Sequence, residues 1–253
     1  MPHIQMQGES MRLEHQDCMD LLKSLPDESI DLILADPPYF KILECGWDNQ
    51  WSTEKDYLAW CKDWTAEAVR VLKPGRCFYV WGTTKTDTFL KYKLDILNKM
   101  PNMVYQNWII WNYDWGGRTK KTFPRKHEDL LMYSKGNKFL FNGDDVRIPY
   151  KMKTNIRKTA FNNPRGKLPT DTWTKNNHTT SKEYAGWHPA QKPIALLERI
   201  VKANTEPGDV VLDFFSGAGS TAIAAIKNNR DFIGCEFDID YYNKSLQRIK
   251  ELT

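Results

Sequence analysis

A short apolar strand that ends in a proline corner constrains this chain more than any other feature. Residues 30–35 read Ile-Asp-Leu-Ile-Leu-Ala, a run typical of a strand buried on both faces of a parallel sheet. Pro37 and Pro38 follow, and because proline has no backbone N–H, the chain leaves the sheet as a rigid, extended corner. Asp36 and Tyr39 flank the corner with a carboxylate and a flat ring. We interpret these four residues as a candidate catalytic site for a planar group that carries an amine. The simpler interpretation is a Pro-rich turn with an ordinarily packed tyrosine.

The size and composition of the chain fit one large α/β domain with an insertion or at most two small domains, since it has 253 residues of which 41% are hydrophobic. No apolar run has the length of a membrane span, and the N-terminus has no basic region followed by an apolar one. We therefore expect a cytoplasmic protein with no membrane partner. The five cysteines are scattered without a C-x-x-C pair, which indicates reduced, mostly buried thiols. The five histidines are equally scattered, so we predict no metal site.

Short apolar runs alternate with amphipathic segments along most of the chain, which predicts βαβ units, a parallel sheet and right-handed crossovers. Further strands are predicted at residues 11–14, 76–81, 104–111, 127–134, 210–214 and 232–235. Helices are predicted at residues 17–25, from a capping box at 53–56 to 73, at about 87–99, from 193, at 222–228 and at 241–252.

A second candidate site follows a strand near the C-terminus. Residues 215–221 form a loop of small residues and glycines between the strand at 210–214 and a helix. Such a loop lets a ligand approach the backbone and the free N–H groups of the helix start. Glu236 ends the next strand, where a carboxylate accepts hydrogen bonds from ribose hydroxyls. Ligands of parallel sheets lie beyond the carboxyl ends of strands, so this nucleoside site should adjoin Asp36. The loop lacks the full G-x-G-x-x-G pattern, and a tight turn in a plain α/β core is the simpler interpretation.

The net charge of +4 conceals a strongly basic segment. Residues 147–182 carry nine basic side chains and one acid, so the rest of the chain is net acidic. A second run, residues 118–126, has five basic side chains and no acid. Trp173, Tyr150, asparagines and threonines are mixed with the charges, and these residue types contact phosphates and base edges. We therefore predict a surface that faces nucleic acid. The alternative is a merely solvated loop.

Two motifs resemble those of S-adenosylmethionine-dependent DNA amino-methyltransferases. Asp36–Tyr39 is similar to their catalytic D-P-P-Y motif, and residues 213–221 (DFFSGAGST) are similar to their F-x-G-x-G cofactor loop. The catalytic motif comes first, then the basic region, then the cofactor loop, which is similar to the order in the β group of the family. His188–Pro193 resembles the segment that precedes the loop in that group. The resemblance implies a Rossmann-like, mostly parallel seven-stranded sheet with one antiparallel strand, helices on both faces and a permuted chain order.

The same resemblance implies two parts of the chain and the residues that serve each. Residues 1–141 and 188–253 are expected to form the catalytic domain, and residues 142–187 an inserted target-recognition region. S-adenosylmethionine is the expected cofactor, and the residues expected to bind it are Asp17, Cys18, Asp36, Lys192, Pro193, Asp213, Phe214, Phe215, Ser216, Gly217, Ala218, Gly219, Ser220, Thr221, Glu236 and Phe237. Within this set, Lys192 and Pro193 are expected to hold the methionine part of the cofactor. Glu236 is expected to hold the ribose and Asp17 the adenine end.

Double-stranded DNA is the expected substrate, and the resemblance adds a homodimer and a cognate restriction endonuclease as expected partners. It also implies that a bacterium or a phage encodes the protein. The basic residues expected to bind DNA are Arg118, Lys120, Lys121, Arg125, Lys151, Lys153, Arg157, Lys158, Arg165, Lys167 and Lys175.

The expected reaction is a direct transfer of a methyl group to an exocyclic amine. The target base leaves the duplex, Tyr39 stacks on it, and the amine donates hydrogen bonds to the Asp36 carboxylate and the Pro37 carbonyl. Aspartate at the head of the motif is more usual in the adenine enzymes of the family and serine in the cytosine-N4 group. Adenine N6 is therefore the expected acceptor and cytosine N4 the alternative. Attack at cytosine carbon 5 needs a nucleophilic cysteine, typically after proline, and the chain has no Pro-Cys pair.

Four other kinds of protein share some of these features. An RNA adenine methyltransferase would use the same slot, and a protein-glutamine methyltransferase usually has asparagine at the first position of the motif. A nicotinamide-dependent oxidoreductase would use Glu236 in the same way but leaves the proline corner unexplained. A non-catalytic DNA-binding protein would bind no cofactor.

Overall fold

The computed structural model describes residues 4–6, 9–44, 46–113, 119–150, 163–174 and 183–253. The strands are β1 (Ile4–Met6), β2 (Glu9–His15), β3 (Ile30–Ala35), β4 (Leu72–Gly82), β5 (Met103–Asn112), β6 (His127–Lys135), β7 (Thr172–Thr174), β8 (Val210–Asp213) and β9 (Asp231–Glu236). The helices are α1 (Cys18–Ser24), α2 (Glu54–Val71), α3 (Thr88–Lys91), α4 (Ile194–Asn204), α5 (Ser220–Ile226) and α6 (Ile239–Leu252).

All nine strands of the described residues form one sheet, in the order β1-β2-β9-β8-β3-β4-β6-β5-β7. From β2 to β5 this is a seven-stranded sheet in which only β6 runs antiparallel to its neighbours. That part confirms the predicted Rossmann-like fold. The expected strand count was too low, because β1 adds an antiparallel edge strand and β7 adds a parallel one at the opposite edge.

The chain order of the sheet is permuted as predicted. β3, from the first half of the chain, pairs in parallel with β8, from the last quarter, through Leu32 with Val211 and Ile33 with Leu212. These strands are buried on both faces, which explains their continuous apolar runs.

Helices cover both faces of the sheet and enclose two hydrophobic cores. On one face α1, α2 and the helical residues 88–99 pack through Leu21, Trp64 and Tyr92. On the other face α4, α5 and α6 pack through side chains such as Leu197 and Ile249. The chain thus buries an apolar stripe of each helix against an apolar sheet, the arrangement that stabilises α/β domains.

The predicted helix starts and ends are largely correct. Thr53 caps α2, since its hydroxyl oxygen accepts a hydrogen bond from the N–H of Asp56 at 3.2 Å, as the capping-box pattern indicated. The helix ends at Val71, and β4 begins at Leu72, four residues earlier than expected. Leu72 pairs with Ile30 ahead of a register shift in the ladder, so the Pro-Gly turn lies within an irregular strand start.

The helix predicted at 87–99 is not a regular α-helix. It consists of α3, a π-helical turn at Tyr92–Ile96 and a 3₁₀ turn at Leu97–Lys99. The wider turn lets Tyr92, Ile96 and Leu97 all face the core, and the Tyr92 hydroxyl lies 2.9 Å from that of Thr65 on α2.

Trp173 was read as a nucleic-acid contact, and this interpretation is wrong. The residue is the centre of β7, is 8% exposed and packs in the core. The guanidinium of Arg199 on α4 lies 4.9 Å from its ring. The basic segment therefore anchors itself to the sheet by an apolar side chain that sequence reasoning assigned to a surface.

Four cysteines of the described residues are buried and unpaired, as predicted. Burial raises the pKa of Cys18, Cys61 and Cys77 to about 12, so these thiols stay protonated near neutral pH. Within the described ranges, no helix is long and apolar enough to cross a bilayer. The same residues contain no group of three metal-ligating side chains.

Candidate active site

The carboxyl ends of three central strands bring the two candidate sites together. β3 pairs in parallel with β8, and β8 with β9. Asp36, the loop after Asp213 and Glu236 therefore leave the sheet at the same edge. Residues from both sites line one continuous cleft, whose cavity volume is about 550 Å³. The two candidate sites are therefore neighbours.

Most of the predicted site residues line this cleft. They are Asp17, Cys18, Asp36, Pro37, Pro38, Tyr39, Lys192, Asp213, Phe214, Phe215, Ser216, Gly217, Ala218, Ser220, Thr221, Glu236 and Phe237. Pro193 and Gly219 are not among the lining residues. Pro193 begins α4, and Gly219 packs so closely on Ile249 of α6 that a Cβ there would lie 3.0 Å from it. Each directly follows a residue that lines the cleft, Lys192 and Ala218 respectively.

Asp36 is held by hydrogen bonds at both carboxylate oxygens. Oδ2 accepts from the Lys192 ammonium at 2.5 Å, and Oδ1 accepts from the Tyr39 hydroxyl at 2.9 Å. Burial and the Asp36 charge raise the pKa of Tyr39 well above its ordinary value, so the phenol keeps the proton that it donates. The carboxylate that the sequence offered as a free acceptor thus has two internal partners.

Lys192 is shared between two carboxylates. Its Nζ lies 2.5 Å from Asp36 and 3.2 Å from Oε2 of Glu128 on β6, and its side chain is 6% exposed. Burial alone would lower the pKa of Lys192, but the two carboxylates hold it above its ordinary range. Burial raises the pKa of Glu128 in spite of the ammonium. A buried charge of this kind is tolerated only when it is paired, and the pairing fixes the position of Asp36.

The loop after the proline corner is fixed by Asp48, which is 1% exposed. Its carboxylate accepts from the N–H of Tyr39 at 2.7 Å and from the N–H of Leu43 at 2.9 Å. The Tyr57 hydroxyl on α2 donates to the Pro38 carbonyl at 2.9 Å. Backbone groups that the prolines leave without sheet partners are therefore satisfied by side chains, and the corner is rigid from both directions.

The loop at 215–219 is built around a carboxylate and a left-handed glycine. Glu236 accepts from the N–H of Gly217 at 2.8 Å and from the N–H of Asp238 at 2.9 Å. Gly217 has φ +50°, and a Cβ on it would lie 2.8 Å from Nε2 of His188. Each oxygen of Glu236 keeps a lone pair for a further donor, which suits a diol.

Two more polar groups face this part of the cleft. The Ser216 hydroxyl is buried and has no hydrogen-bond partner among the described residues, which is a costly state that a bound ligand relieves. Asp213 accepts from the N–H of Phe215 at 3.0 Å, and burial raises its pKa to about 7. The unpaired hydroxyl, the glycine without room for a Cβ and the carboxylate fit a nucleoside-bearing cofactor.

An aromatic cluster forms the rim of the cleft. The Trp47 ring stacks on His188 with a centroid distance of 5.9 Å and an interplanar angle of 3°. Tyr241 packs edge-on against both, at 5.5 Å from Trp47 and 4.8 Å from His188. Burial lowers the pKa of His188 to about 4, so its ring is neutral near pH 7 and stacks as an apolar group.

Comparison with known proteins shows which family the chain belongs to. A family model described as DNA methylase matches residues 30–247. The type II methyltransferase M1.MboII of Moraxella bovis is 31% identical over 251 residues, which cover 92% of this chain and 94% of the relative. DNA adenine methyltransferase YhdJ of Escherichia coli (strain K12) is 34% identical and covers 96% of this chain and 81% of the relative. The chain belongs to the DNA methylase family.

Solved structures confirm the fold of this DNA methylase. The cytosine-N4-specific PvuII DNA methyltransferase superposes with a TM-score of 0.74 at 19% identity, covering 94% of this chain and 86% of its own. M1.HpyAVI, solved as a complex with SAM, superposes with a TM-score of 0.65 at 23% identity, covering 94% and 98%. The resemblance drawn from the D-P-P-Y motif and the cofactor loop is thereby confirmed as an S-adenosylmethionine-dependent DNA methyltransferase.

The basic residues predicted to bind DNA fall into three groups in this DNA methylase. Lys120, Lys121 and Arg125 belong to the loop between β5 and β6, and Arg125 donates to the Thr84 hydroxyl at 2.9 Å. Arg165 pairs with Asp144, and the backbone of Lys167 bridges that of Ile148. Arg118, Lys151, Lys153, Arg157, Lys158 and Lys175 lie outside the described residues.

Sequence reasoning missed three residues that organise the cleft. The sequence predicts Glu128 as part of an ordinary strand, although an acid beside four consecutive apolar residues, 130–133, was a usable signal. Asp48 lies in an irregular loop with no pattern that singles it out. Arg248 on α6 donates to the Ala218 carbonyl at 2.6 Å and to the Glu183 carbonyl at 2.8 Å, and burial lowers its pKa to about 10. It ties the cofactor loop to the segment before α4.

Proposed function

We propose that this DNA methylase transfers a methyl group from S-adenosylmethionine to the N6 amine of an adenine everted from double-stranded DNA. The observation that carries the proposal is the shared cleft, in which the paired Asp36 carboxylate adjoins the loop built on Glu236. The relatives M1.MboII and YhdJ come from bacteria, whose DNA lies in the cytoplasm, and we propose the same location for this protein.

We assign the cofactor to the half of the cleft that ends β8 and β9. Glu236 would accept hydrogen bonds from the ribose hydroxyls, Asp17 would face the adenine end, and Ser216 would gain the partner that it lacks. When bound, the cofactor supplies an electrophilic methyl group. The chain contributes the walls of the cleft, the aromatic rim that excludes water and the alignment of the acceptor, which is a large part of the rate in direct transfers.

Asp36 is the group that receives the target amine. Its Oδ1 is bonded to Tyr39, so eversion of the base requires Tyr39 to exchange that hydrogen bond for a stacking contact. The released oxygen and the Pro37 carbonyl would then accept the two N–H bonds of the amine. The nitrogen gains a methyl group and loses one proton, for which the Asp36 carboxylate is the adjacent acceptor. Stacking of the base on Tyr39 is worth about 1–3 kcal/mol.

Lys192 acts in this proposal by holding Asp36 in place through the ion pair between them. The sequence resemblance assigned it to the methionine part of the cofactor, whereas its ammonium lies 2.5 Å from Asp36. The two assignments predict different effects of a Lys192 substitution on cofactor binding.

Adenine is preferred to cytosine for two reasons. Aspartate heads the motif, which resembles the adenine enzymes, and YhdJ, at 34% identity, is named as a DNA adenine methyltransferase. Cytosine N4 is the second candidate because the PvuII enzyme has the same fold.

The test is to methylate plasmid DNA with S-adenosylmethionine carrying a deuterated methyl group, digest the product to nucleosides and measure their masses. We expect labelled N6-methyldeoxyadenosine. Labelled N4-methyldeoxycytidine would favour the second candidate. A parallel reaction on RNA completes the test, and label in RNA without label in DNA would overturn the proposal. A homodimer and a cognate restriction endonuclease are further partners that we propose from the resemblance, and gel filtration of the purified protein tests the first.

A further inference from the structure

The described part of the loop between β5 and β6, residues 119–126, lies at the end of the sheet where the carboxyl ends of the parallel strands form the cleft. β5 and β4 are both antiparallel to β6, so β5 runs in the direction of β3 and ends at the same edge. The N–H of Tyr113 donates to the Lys126 carbonyl at 2.9 Å, and Arg125 bonds to Thr84, which follows β4. The loop is thus fixed at the side of the cleft where the DNA would approach.

Phe123 projects from this loop into solvent. Its exposed fraction is 98%, the largest among the large hydrophobic side chains of the described residues. Pro124 favours an extended backbone at the preceding residue, and the hydroxyl of Thr119 donates to the carbonyl of Thr122. A turn closed in this way presents the ring rather than folding it back.

The charges around Phe123 indicate what covers it. Residues 119–126 contain Lys120, Lys121, Arg125 and Lys126 and no acid. A second copy of the chain would bring four like charges against these four in a symmetric contact, which is unfavourable. A polyanion with an apolar interior satisfies both the charges and the ring, and duplex DNA with its stacked bases has that character.

We propose that Phe123 inserts into the base stack beside the target adenine and occupies the space from which the base is everted. The inference rests on the proposed function and adds to it a residue that stabilises the everted state. Phe123 precedes Glu128 by five residues, so their Cα atoms are separated by at most about 18 Å. Through Lys192, Glu128 adjoins Asp36, so Phe123 lies five residues along the chain from a side chain of the transfer site. Apolar side chains wedged between base steps offset the cost of unstacking, and Lys120, Lys121 and Arg125 would hold the flanking phosphates.

The target sequence is first mapped by single-molecule sequencing of DNA from a host that expresses the protein. The test then compares the wild type with Phe123→Ala on two duplexes of that sequence, one fully paired and one with cytosine opposite the target adenine. A mismatched base leaves the stack at lower cost, so it has less need of the wedge. We expect Phe123→Ala to lower kcat/KM roughly 10- to 100-fold on the paired duplex. On the mismatched duplex we expect it to come within about threefold of the wild type. Phe123→Leu keeps a bulky apolar side chain and should retain most of the activity on the paired duplex.

The matched control is Phe141→Ala, which removes a second exposed ring, 45% accessible. This ring lies at the end of the sheet away from the cleft, near the start of β4. It should leave the activity on both duplexes unchanged. Equal losses for Phe123→Ala on the two duplexes, or no loss on the paired one, would overturn the inference while the proposed function stands. Failure of the wild type to label either duplex would overturn the proposed function itself.

Discussion

The buried charges beside Asp36 form one group of three. A single ammonium, that of Lys192, lies between the carboxylates of Asp36 and Glu128. Removal of one member of a buried pair leaves an uncompensated charge and is more harmful than removal of both. The three side chains come from β3, β6 and the segment before α4, so the site depends on the packing of distant parts of the chain.

Lys192→Gln tests whether this ammonium serves Asp36 or the cofactor. We expect kcat/KM at pH 7 to fall roughly 10- to 100-fold, because Asp36 loses the partner that holds it in place. We also expect S-adenosylmethionine affinity, measured by calorimetry, to change little. The double variant Lys192→Gln/Glu128→Gln should recover part of the activity, because the second carboxylate no longer repels Asp36. Loss of cofactor affinity, with no recovery in the double variant, would instead assign Lys192 to the methionine part.

The free energy of unfolding depends on pH through Asp213. Burial raises its pKa from 3.8 to about 7, so between these values the folded state keeps a proton that the unfolded state has released. Stability contributed by this group therefore falls as pH rises from about 4 to 7 and is constant above. Relative to the wild type, Asp213→Asn should gain stability over that range, by at most about 4 kcal/mol. Urea unfolding of both proteins at pH 5 and pH 8 measures the difference in their free energies of unfolding. An equal difference at the two pH values would contradict the account.

The residues recovered from the sequence were those with a local signal. Asp36 and Tyr39 belong to a rare tetrapeptide, and Glu236 ends an apolar strand after a glycine loop. The contact between Lys192 and Asp36 joins residues 156 positions apart, and no periodicity encodes it. Asp48 acts within an irregular loop, where side chains rather than a repeating pattern satisfy the backbone.

At the scale of elements, the cofactor loop depends on two left-handed glycines between β8 and α5. Gly217 and Gly219 have φ of +50° and +74°, a region that other residues enter at a cost. The turn directs the start of α5 at the cleft, where Arg248 secures it from α6. Sequence reasoning found this element because glycine and small residues at a strand end are themselves the signal.

Gly217→Ala tests the loop, with Gly208→Ala as its matched control. Both glycines have positive φ, but only at Gly217 does a Cβ meet another side chain, that of His188. Each variant should lose about 1 kcal/mol of stability from backbone strain. Only Gly217→Ala should weaken binding of S-adenosylmethionine, by roughly tenfold or more. Calorimetry and urea unfolding separate the two effects, and equal cofactor affinity in the two variants would argue against a role for this turn.

Elements with a strong periodicity were predicted well, and those shaped by tertiary packing were not. α2 has a capping box and an apolar stripe, and its start is as predicted. The helix at 88–99 widens into a π turn because Tyr92, Ile96 and Leu97 all enter the core. β7 has only three residues, and it pairs with β5 in a segment whose composition is that of a polar loop. Whether so short a strand forms depends on its pairing with β5 and not on a local sequence pattern.

At the scale of the whole molecule, the permuted order places the two functional loops side by side. β3 and β8 are neighbours at the centre of the sheet, so a catalytic motif near residue 36 and a cofactor loop near residue 217 share one edge. The position of loops beyond the carboxyl ends of parallel strands follows from the fold. The sequence motifs predicted this adjacency because each follows an apolar run, but the strand order itself came from the family resemblance.

The central claim is that one cleft separates into a cofactor half, built on Glu236, and a transfer half, built on Asp36. Paired measurements on Asp36→Ala and Glu236→Gln test it most directly, with methyl transfer to DNA and calorimetric binding of S-adenosylmethionine followed for each variant. We predict that Asp36→Ala loses turnover on the order of 10³-fold and binds the cofactor within about threefold of the wild type. Glu236→Gln should weaken cofactor binding at least tenfold and keep turnover at saturating cofactor. Wild-type turnover in Asp36→Ala would contradict the account.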